Sequence, residues 1–291
     1  MSTENVCIAV GEDLSMRPPA VAQADSTSLA RSISSQLQLA HVDGWPITLA
    51  NLDDAVIAIV GAAERGEGFS AVTLNLDHLV KLRSSSSFRW AYANARFVTA
   101  DGAPVARLAR GQCHRIERAT GADLVVPLAM EAARRGLPIF IFGSSAAVLG
   151  KAARDLAERS DGALAIAGTE APPQGFDPTS AEADAALDRI AASGAKLCFL
   201  ALGAPKQELL AARAVGRGIK VGFVSVGAAL DFIAGAQIRA PEALRDSGLE
   251  WLWRLAANPR RLAMRYAQCA LLLADITLIA PLRQRLGTGG G

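Results

Sequence analysis

Asp101 is the residue best placed to do chemistry. The apolar run Phe97-Val98-Thr99-Ala100 delivers it to the end of a candidate strand with no neighbouring cation. A carboxylate held there can serve as a general base. It can equally cap the helical segment Ala103–Arg110 that follows at once, since Asp is a favoured N-cap. A second candidate is Gly203-Ala204-Pro205-Lys206-Gln207-Glu208, which also follows an apolar run and opens a helical pattern. Pro205 suits the first turn of that helix, and backbone N–H groups with Lys206 would suit a phosphate. An ordinary strand-to-helix turn is the plainer reading of the same loop, with Glu208 facing solvent or pairing locally. A third candidate is basic. From Trp251 to Gly291 there are six arginines (Arg254, Arg260, Arg261, Arg265, Arg283, Arg285) against one acid, Asp275.

Other chemistries are excluded by spacing. Cys7, Cys113, Cys198 and Cys269 lie far apart with no CxxC pair, which argues against a zinc site or a disulfide framework and for a reducing compartment. His41, His78 and His114 are scattered, so a histidine metal site is not expected, and His78 reads as a surface helix histidine. Gly143 to Lys151 lacks the P-loop spacing, with Ala152 in place of Ser or Thr, and no GxGxxG follows the first strand. That absence speaks against a nicotinamide-dependent oxidoreductase.

Elements must position these residues. Near-continuous apolar runs at Ala71–Leu74, Arg96–Ala100, Pro138–Gly143, Ala163–Gly168, Lys196–Leu202 and Lys220–Val226 suit strands buried on both faces of a parallel sheet. Helical stretches between them carry start signals at Asn51, at Thr120 with Asp123, and at Thr179 or Ser180 with Glu182. The expectation is an α/β protein, a Rossmann-like layered and mostly parallel sheet with a C-terminal helical appendage. Ligands in such sheets sit outside the carboxyl ends of the strands. This directs attention to Asn75 with Asp77 and His78, Asp101-Gly102, Gly143 to Ser145, Gly168-Thr169, Gly203 to Gln207, and Gly227.

The expected organisation is a mobile arm over residues 1–38, a core over 39–238, a basic helical appendage over 239–286 and a flexible tail over 287–291. Within the arm, Ile33, Leu37 and Leu39 could form a short docking helix. The chain has 291 residues with 30 basic and 28 acidic side chains, which excludes a broadly basic nucleic-acid binder. Aromatics at 5% are too few for base-stacking platforms. No signal peptide is read at the start. Ala267–Leu282 falls short of a spanning helix in length and carries Asp275. In the appendage, Asn258-Pro259 reads as N-cap and first helical residue. Leu262, Tyr266, Cys269 and Leu273 line one helix face, and Arg261 and Arg265 share another. A basic amphipathic helix near Trp251 and Trp253 suits a membrane surface or an anionic ligand; equally, it can pack on the core with its arginines solvated.

Ordered motifs then point to a family. They are Val72-Thr73-Leu74-Asn75-Leu76-Asp77, Ala100-Asp101-Gly102, Glu117 to Leu124, Gly203 to Glu208, Gly227 to Asp231, Arg239-Ala240-Pro241, and Gly248 to Leu255 followed by Pro259-Arg260-Arg261. Over about residues 42–270 the chain resembles the WecG/TagA/CpsF family of bacterial glycosyltransferases. The resemblance implies inverting transfer of a sugar from a UDP-sugar to a lipid-linked saccharide at the cytoplasmic face of the cell membrane. The sequence holds no DxD motif of the metal-bridging kind, so no cofactor and no required divalent ion are expected. It gives Asp101 the general-base role and places Thr73 and Asn75 in the catalytic or acceptor pocket. Gly203, Lys206 and Gln207 fall in the donor loop, and Arg254, Arg260, Arg261 and Arg265 are candidates for the diphosphate. Gly143-Ser144-Ser145 departs from the glycine pair and proline common in relatives, where the donor's ribose or base is met. A homo-oligomer is left open. So is a different class, a non-catalytic sugar-nucleotide-binding regulator docked on a membrane assembly.

Overall fold

The computed structural model describes residues 38–280; residues 1–37 of the expected arm, the tail, Arg283 and Arg285 lie outside the described residues. The strands among the described residues are β1 (Ala40–Val42), β2 (Trp45–Ile47), β3 (Phe69–Leu74), β4 (Phe97–Ala100), β5 (Ile139–Gly143), β6 (Ile166–Glu170), β7 (Leu197–Ala201) and β8 (Gly222–Ser225). Six of them form one all-parallel sheet in the order β4-β3-β8-β7-β5-β6. All six apolar runs read from sequence are strands of it. The run placed at Ala163–Gly168 sits further along the chain, so Gly168 and Thr169 lie inside β6 rather than after it.

The helices are α1 (Leu52–Glu64), α2 (Leu76–Ser84), α3 (Ser86–Ala93), α4 (Ala103–Arg110), α5 (Gly121–Arg134), α6 (Ala146–Arg159), α7 (Ala181–Ala192), α8 (Lys206–Gly216), α9 (Ala229–Ile233), α10 (Glu242–Asp246), α11 (Glu250–Ala257) and α12 (Pro259–Ala274). A π-helical turn, Asp275–Ile279, continues α12. The start signals hold locally. Asn51 accepts from the Asp54 N–H, Thr120 and Asp123 form a reciprocal capping box, and Ser180 rather than Thr179 caps α7.

Strand side chains alternate between two helical layers. Phe69, Ala71, Ile139, Ile141, Leu197 and Phe199 pack against α1, α5 and α6. Their neighbours Val72, Leu74, Val98 and Ala100 pack against α2, α3 and α4, and Phe140, Phe142, Cys198 and Leu200 against α7 and α8. Both sheet faces are therefore buried, which is why the strands read as unbroken apolar runs. Each large buried side chain contributes roughly 1.5–3 kcal/mol.

The β1–β2 hairpin is absent from the sequence reading, although Asp43-Gly44 is a hairpin signal. Both residues have positive φ, 51° and 80°, as the tight turn requires. Leu39 donates its N–H to the Ile47 carbonyl, so it extends this hairpin rather than a docking helix; Ile33 and Leu37 lie outside the described residues.

The chain beyond β8 is helical and returns across the carboxyl edge of the sheet. Arg239 pairs with Asp123 at 2.6 Å, and Arg118 donates to the Arg245 carbonyl at 2.8 Å. Further on, α12 packs against α2, and Arg83 bridges Asp43 of the hairpin and Asp275 of the π-turn. Leu262–Ile279 forms 18 residues of mean hydropathy 1.4, only 11% of them buried. The shorter stretch judged from sequence underestimated this helix, which by length and composition alone could cross a membrane.

Candidate active site

The strand register builds the site. Thr73 lies opposite Thr99 and Leu74 opposite Ala100, and the Asp101 N–H extends the ladder by donating to the Leu74 carbonyl at 2.8 Å. The Asp101 side chain consequently lies beside the end of β3. Its Oδ2 accepts from Thr73 Oγ1 at 3.2 Å and from Asn75 Nδ2 at 3.0 Å. Asn75 is also the N-cap of α2, its Oδ1 accepting the His78 N–H at 2.9 Å. A backbone donor on one end of the amide leaves only the NH₂ group for Asp101, so the amide has one workable orientation.

Asp101 is not a helix cap. Gly102 occupies the cap position of α4 with φ 84°, and no side chain bonds there. The positive φ suits glycine and turns the chain away, leaving the carboxylate to the cleft. Burial raises the Asp101 pKa above the ordinary carboxylate value. The Asn75 hydrogen bond, the Arg254 charge and the Thr73 hydrogen bond oppose this rise, while Glu250 adds to it.

Behind this cluster sits His78, which is buried and not the surface residue its helix position suggested. Its Nδ1 lies 2.8 Å from the Thr73 carbonyl and 2.6 Å from the Tyr92 hydroxyl, which itself donates to Thr73 O at 2.8 Å. A carbonyl oxygen only accepts, so the Nδ1 hydrogen faces Thr73. Burial pushes the His78 pKa down to about 4, against the smaller opposing effect of Asp77. A neutral imidazole and a phenol thus fix the backbone of the residue whose hydroxyl holds Asp101.

Across the cleft, Gln207 is buried at the first turn of α8. Its Oε1 accepts the Gly227 N–H at 3.1 Å and its Nε2 donates to Glu208 Oε1 at 2.8 Å. Glu208 does pair locally, but it does not face solvent: it is 1% exposed, and burial raises its pKa to about 7. Pro205 is the N-cap of α8 rather than a residue of its first turn.

One cavity of about 1030 Å³ runs along the carboxyl edge. Thr73, Asn75, Asp101, Gly203 and Gln207 line it together. Lys206 does not; it lines a neighbouring cavity of about 510 Å³ with Ser144, Ser145 and Phe176. Ser144, in the departing loop, donates from Oγ to Asp231 at 3.1 Å. At the N-terminus of α5, an added Cβ on Gly121 would stand 2.8 Å from the Val226 carbonyl oxygen, so only glycine lets that helix approach β8 and close the cleft wall.

The appendage roofs the cavity. Arg254 lines it, pairs with Glu250 at 3.0 Å and lies 5.3 Å from the Phe232 ring centroid. Arg265 also lines it, 3.0 Å from Asp77, which binds Lys81 as well. Leu262, Tyr266, Cys269 and Leu273 face the cavity as their spacing implied, but Arg265 joins that face instead of lying on a separate one. Arg260 is exposed and does not border the cavity, and the side chain of Arg261 lies outside what the structure describes. Arg118 borders the cavity although it received no role from sequence. Its signal was present, since Glu117-Arg118 opens one of the ordered motifs.

A parallel three-layer sheet with a polar cleft at its carboxyl edge defines a Rossmann-like α/β protein with a ligand site at the strand ends. The family model for WecG/TagA/CpsF glycosyl transferases matches residues 38–287, and the chain belongs to that family. It is therefore a glycosyltransferase of polysaccharide biosynthesis.

Proposed function

We propose that the protein is an inverting transferase that moves a sugar from a UDP-sugar to a saccharide linked to a polyprenyl diphosphate, with Asp101 as general base. The observation that carries this reading is the carboxylate itself, held by Thr73 and Asn75 at the cavity wall with its pKa raised by burial. The acceptor hydroxyl gives its proton to Asp101 as its oxygen attacks the anomeric carbon. The bond from that carbon to the diphosphate oxygen breaks, and its electron pair leaves with UDP. A positioned base contributes typically ~10²–10⁴ in rate.

The leaving diphosphate needs positive charge. Arg254 and Arg265 line the cavity, and Arg118 stands on its wall. Single preorganised donors at developing charge contribute roughly 3–4 kcal/mol. The donor's nucleoside end is assigned to the side bounded by Gln207 and Gly227, and the acceptor to the groove between α2 and α12.

An acceptor with a long apolar tail requires a nearby lipid surface. Trp251, Leu252, Met264, Leu271, Leu278 and Ile279 are exposed on the appendage. Apolar side chains beside arginines favour the surface of an anionic leaflet. The protein is accordingly read as peripheral on the cytoplasmic face of the cell membrane.

The test is Asp101→Asn, assayed with a panel of UDP-sugars and a lipid-linked acceptor. Transfer is expected to fall at least ~10²-fold while UDP binding by calorimetry is kept. Near-wild-type turnover would remove Asp101 from the base role.

A further inference from the structure

Glu208 is a buried ionisable side chain that the transfer reaction leaves without a part. It is 1% exposed, does not border the cavity, and carries an Oε2 with no hydrogen-bond partner among the described residues. A polar group in that condition is costly to bury, so a compensating role is expected. Its other oxygen has one partner, the Nε2 of Gln207 at 2.8 Å.

That contact controls the Gln207 amide. The Gly227 N–H, 3.1 Å from the amide oxygen, can only be satisfied if that oxygen faces it. The NH₂ end is then directed into buried surroundings and needs an acceptor, which Glu208 Oε1 supplies. With the amide flipped, an NH₂ group would meet the Gly227 N–H, and a carbonyl oxygen would meet the Glu208 carboxyl group. The Gly227 N–H excludes the flipped amide, and Glu208 Oε1 takes the Nε2 hydrogen that the remaining orientation turns inward, so the two contacts together lock one orientation. Gln207 Nε2 carries two hydrogens and Glu208 takes one, so the second is left for a ligand in the cavity that Gln207 lines.

We propose that Glu208 is a positioning residue for donor binding: it fixes the Gln207 amide, and through it ties the strand-end loop Gly203–Gln207 to the loop at Gly227. The proposal rests on the donor lying at the Gln207 and Gly227 side of the cleft. Its structural half, the lock on Gly227, does not.

The experiment compares wild type, Glu208→Ala and Glu208→Gln in the full chain. Amide hydrogen exchange is followed in the peptide containing Gly227, together with the Kd of UDP, the KM of the preferred UDP-sugar, and kcat. The alanine variant removes the acceptor. Exchange at Gly227 should rise at least tenfold, and Kd and KM at least tenfold, with kcat changed less than threefold. The glutamine variant still offers a carbonyl oxygen to Gln207 Nε2 and should recover most of both losses. A loss of thermal stability alone, with Gly227 exchange and donor KM unmoved in the alanine variant, overturns the proposal. So does equal impairment of the alanine and glutamine variants. If wild-type protein binds no member of the UDP-sugar panel, the donor assignment fails, and Gly227 exchange in the two variants still decides whether Glu208 is the lock.

Discussion

The two walls of the cleft are built by opposite means. On the sheet side, Asp101 is held by two hydrogen bonds from residues that are themselves fixed by the β3–β4 register, a helix cap, and the His78–Tyr92 pair. On the appendage side, α11 has no buried residue, and the arginines are held mainly by carboxylates, Arg254 by Glu250 and Arg265 by Asp77. Pairs that exposed are each worth about 0–1 kcal/mol. The difference assigns each wall its task. A base must be in place before the acceptor arrives, since misplacement by about 1 Å is costly in rate. Charge for a leaving group is needed only once both substrates are seated, so it can reside on a weakly packed element.

If that division is correct, Arg254 should matter for rate and hardly at all for stability. Arg254→Gln is expected to lower kcat roughly 10²-fold, in line with the loss of one preorganised donor. The pair it breaks is 41% exposed on the arginine side, so the unfolding free energy should change by less than about 1 kcal/mol. Denaturant unfolding and steady-state kinetics on one preparation check both halves. A large stability loss would mean that the roof is part of the core, and the contrast between the walls would fall.

A smaller effect separates the two buried ionisable groups beneath the walls. His78 has its pKa lowered from 6.5 to about 4, so between those values the unfolded chain holds more protons and stability rises with pH. Glu208 has its pKa raised from 4.5 to about 7, so there the folded chain holds more protons and stability falls as pH rises. Each shift corresponds to about 3 kcal/mol at full development, and the two slopes oppose each other where they overlap. Glu208→Gln should expose the His78 slope, its stability climbing by about 3 kcal/mol from pH 4 to 6.5, where the opposing Glu208 slope leaves wild type nearly flat. Urea midpoints at half-unit pH intervals measure this. An unchanged pH profile would mean that Glu208 is already ionised in the folded protein.

Much of the sheet was legible because strands buried on both faces cannot alternate, and an unbroken apolar run is conspicuous in the sequence. The β1–β2 hairpin was missed despite Asp43-Gly44, because three-residue strands are too short to show a period. Asp101 could be seen at a strand end, but its partners could not. That Thr73 and Asn75 reach it depends on which strand lies beside β4, and strand order is not local information. Resemblance placed Thr73 and Asn75 in the acceptor or catalytic pocket and gave Asp101 the base role, where spacing left cap and base both open. His78 and Glu208 were misjudged for one reason. Each is a polar residue near the start of a helix, a position that is usually solvated, and here α8 packs against both α3 and β3 while α2 lies under α12. The helix face carrying Leu262, Tyr266, Cys269 and Leu273 was readable from its 3.6-residue period, whereas the direction of the long Arg265 side chain was not.

The smallest expected effect concerns the outer side of the roof. Leu271 is 73% exposed, one position before Leu272, which is buried against the core. An apolar side chain left in water contributes almost nothing to folding, so Leu271→Glu should leave the thermal midpoint within about 1 °C of wild type. At an anionic membrane the same side chain would be removed from water, a gain of about 1.5–3 kcal/mol, and the introduced carboxylate would add repulsion. Partition onto vesicles of anionic lipid should therefore fall by at least about tenfold, with soluble-acceptor turnover kept. Leu272→Glu is the contrasting variant, since it places a charge inside the core cluster and should unfold the roof first. Equal vesicle binding by Leu271→Glu and wild type would show that the exposed apolar face meets something other than lipid.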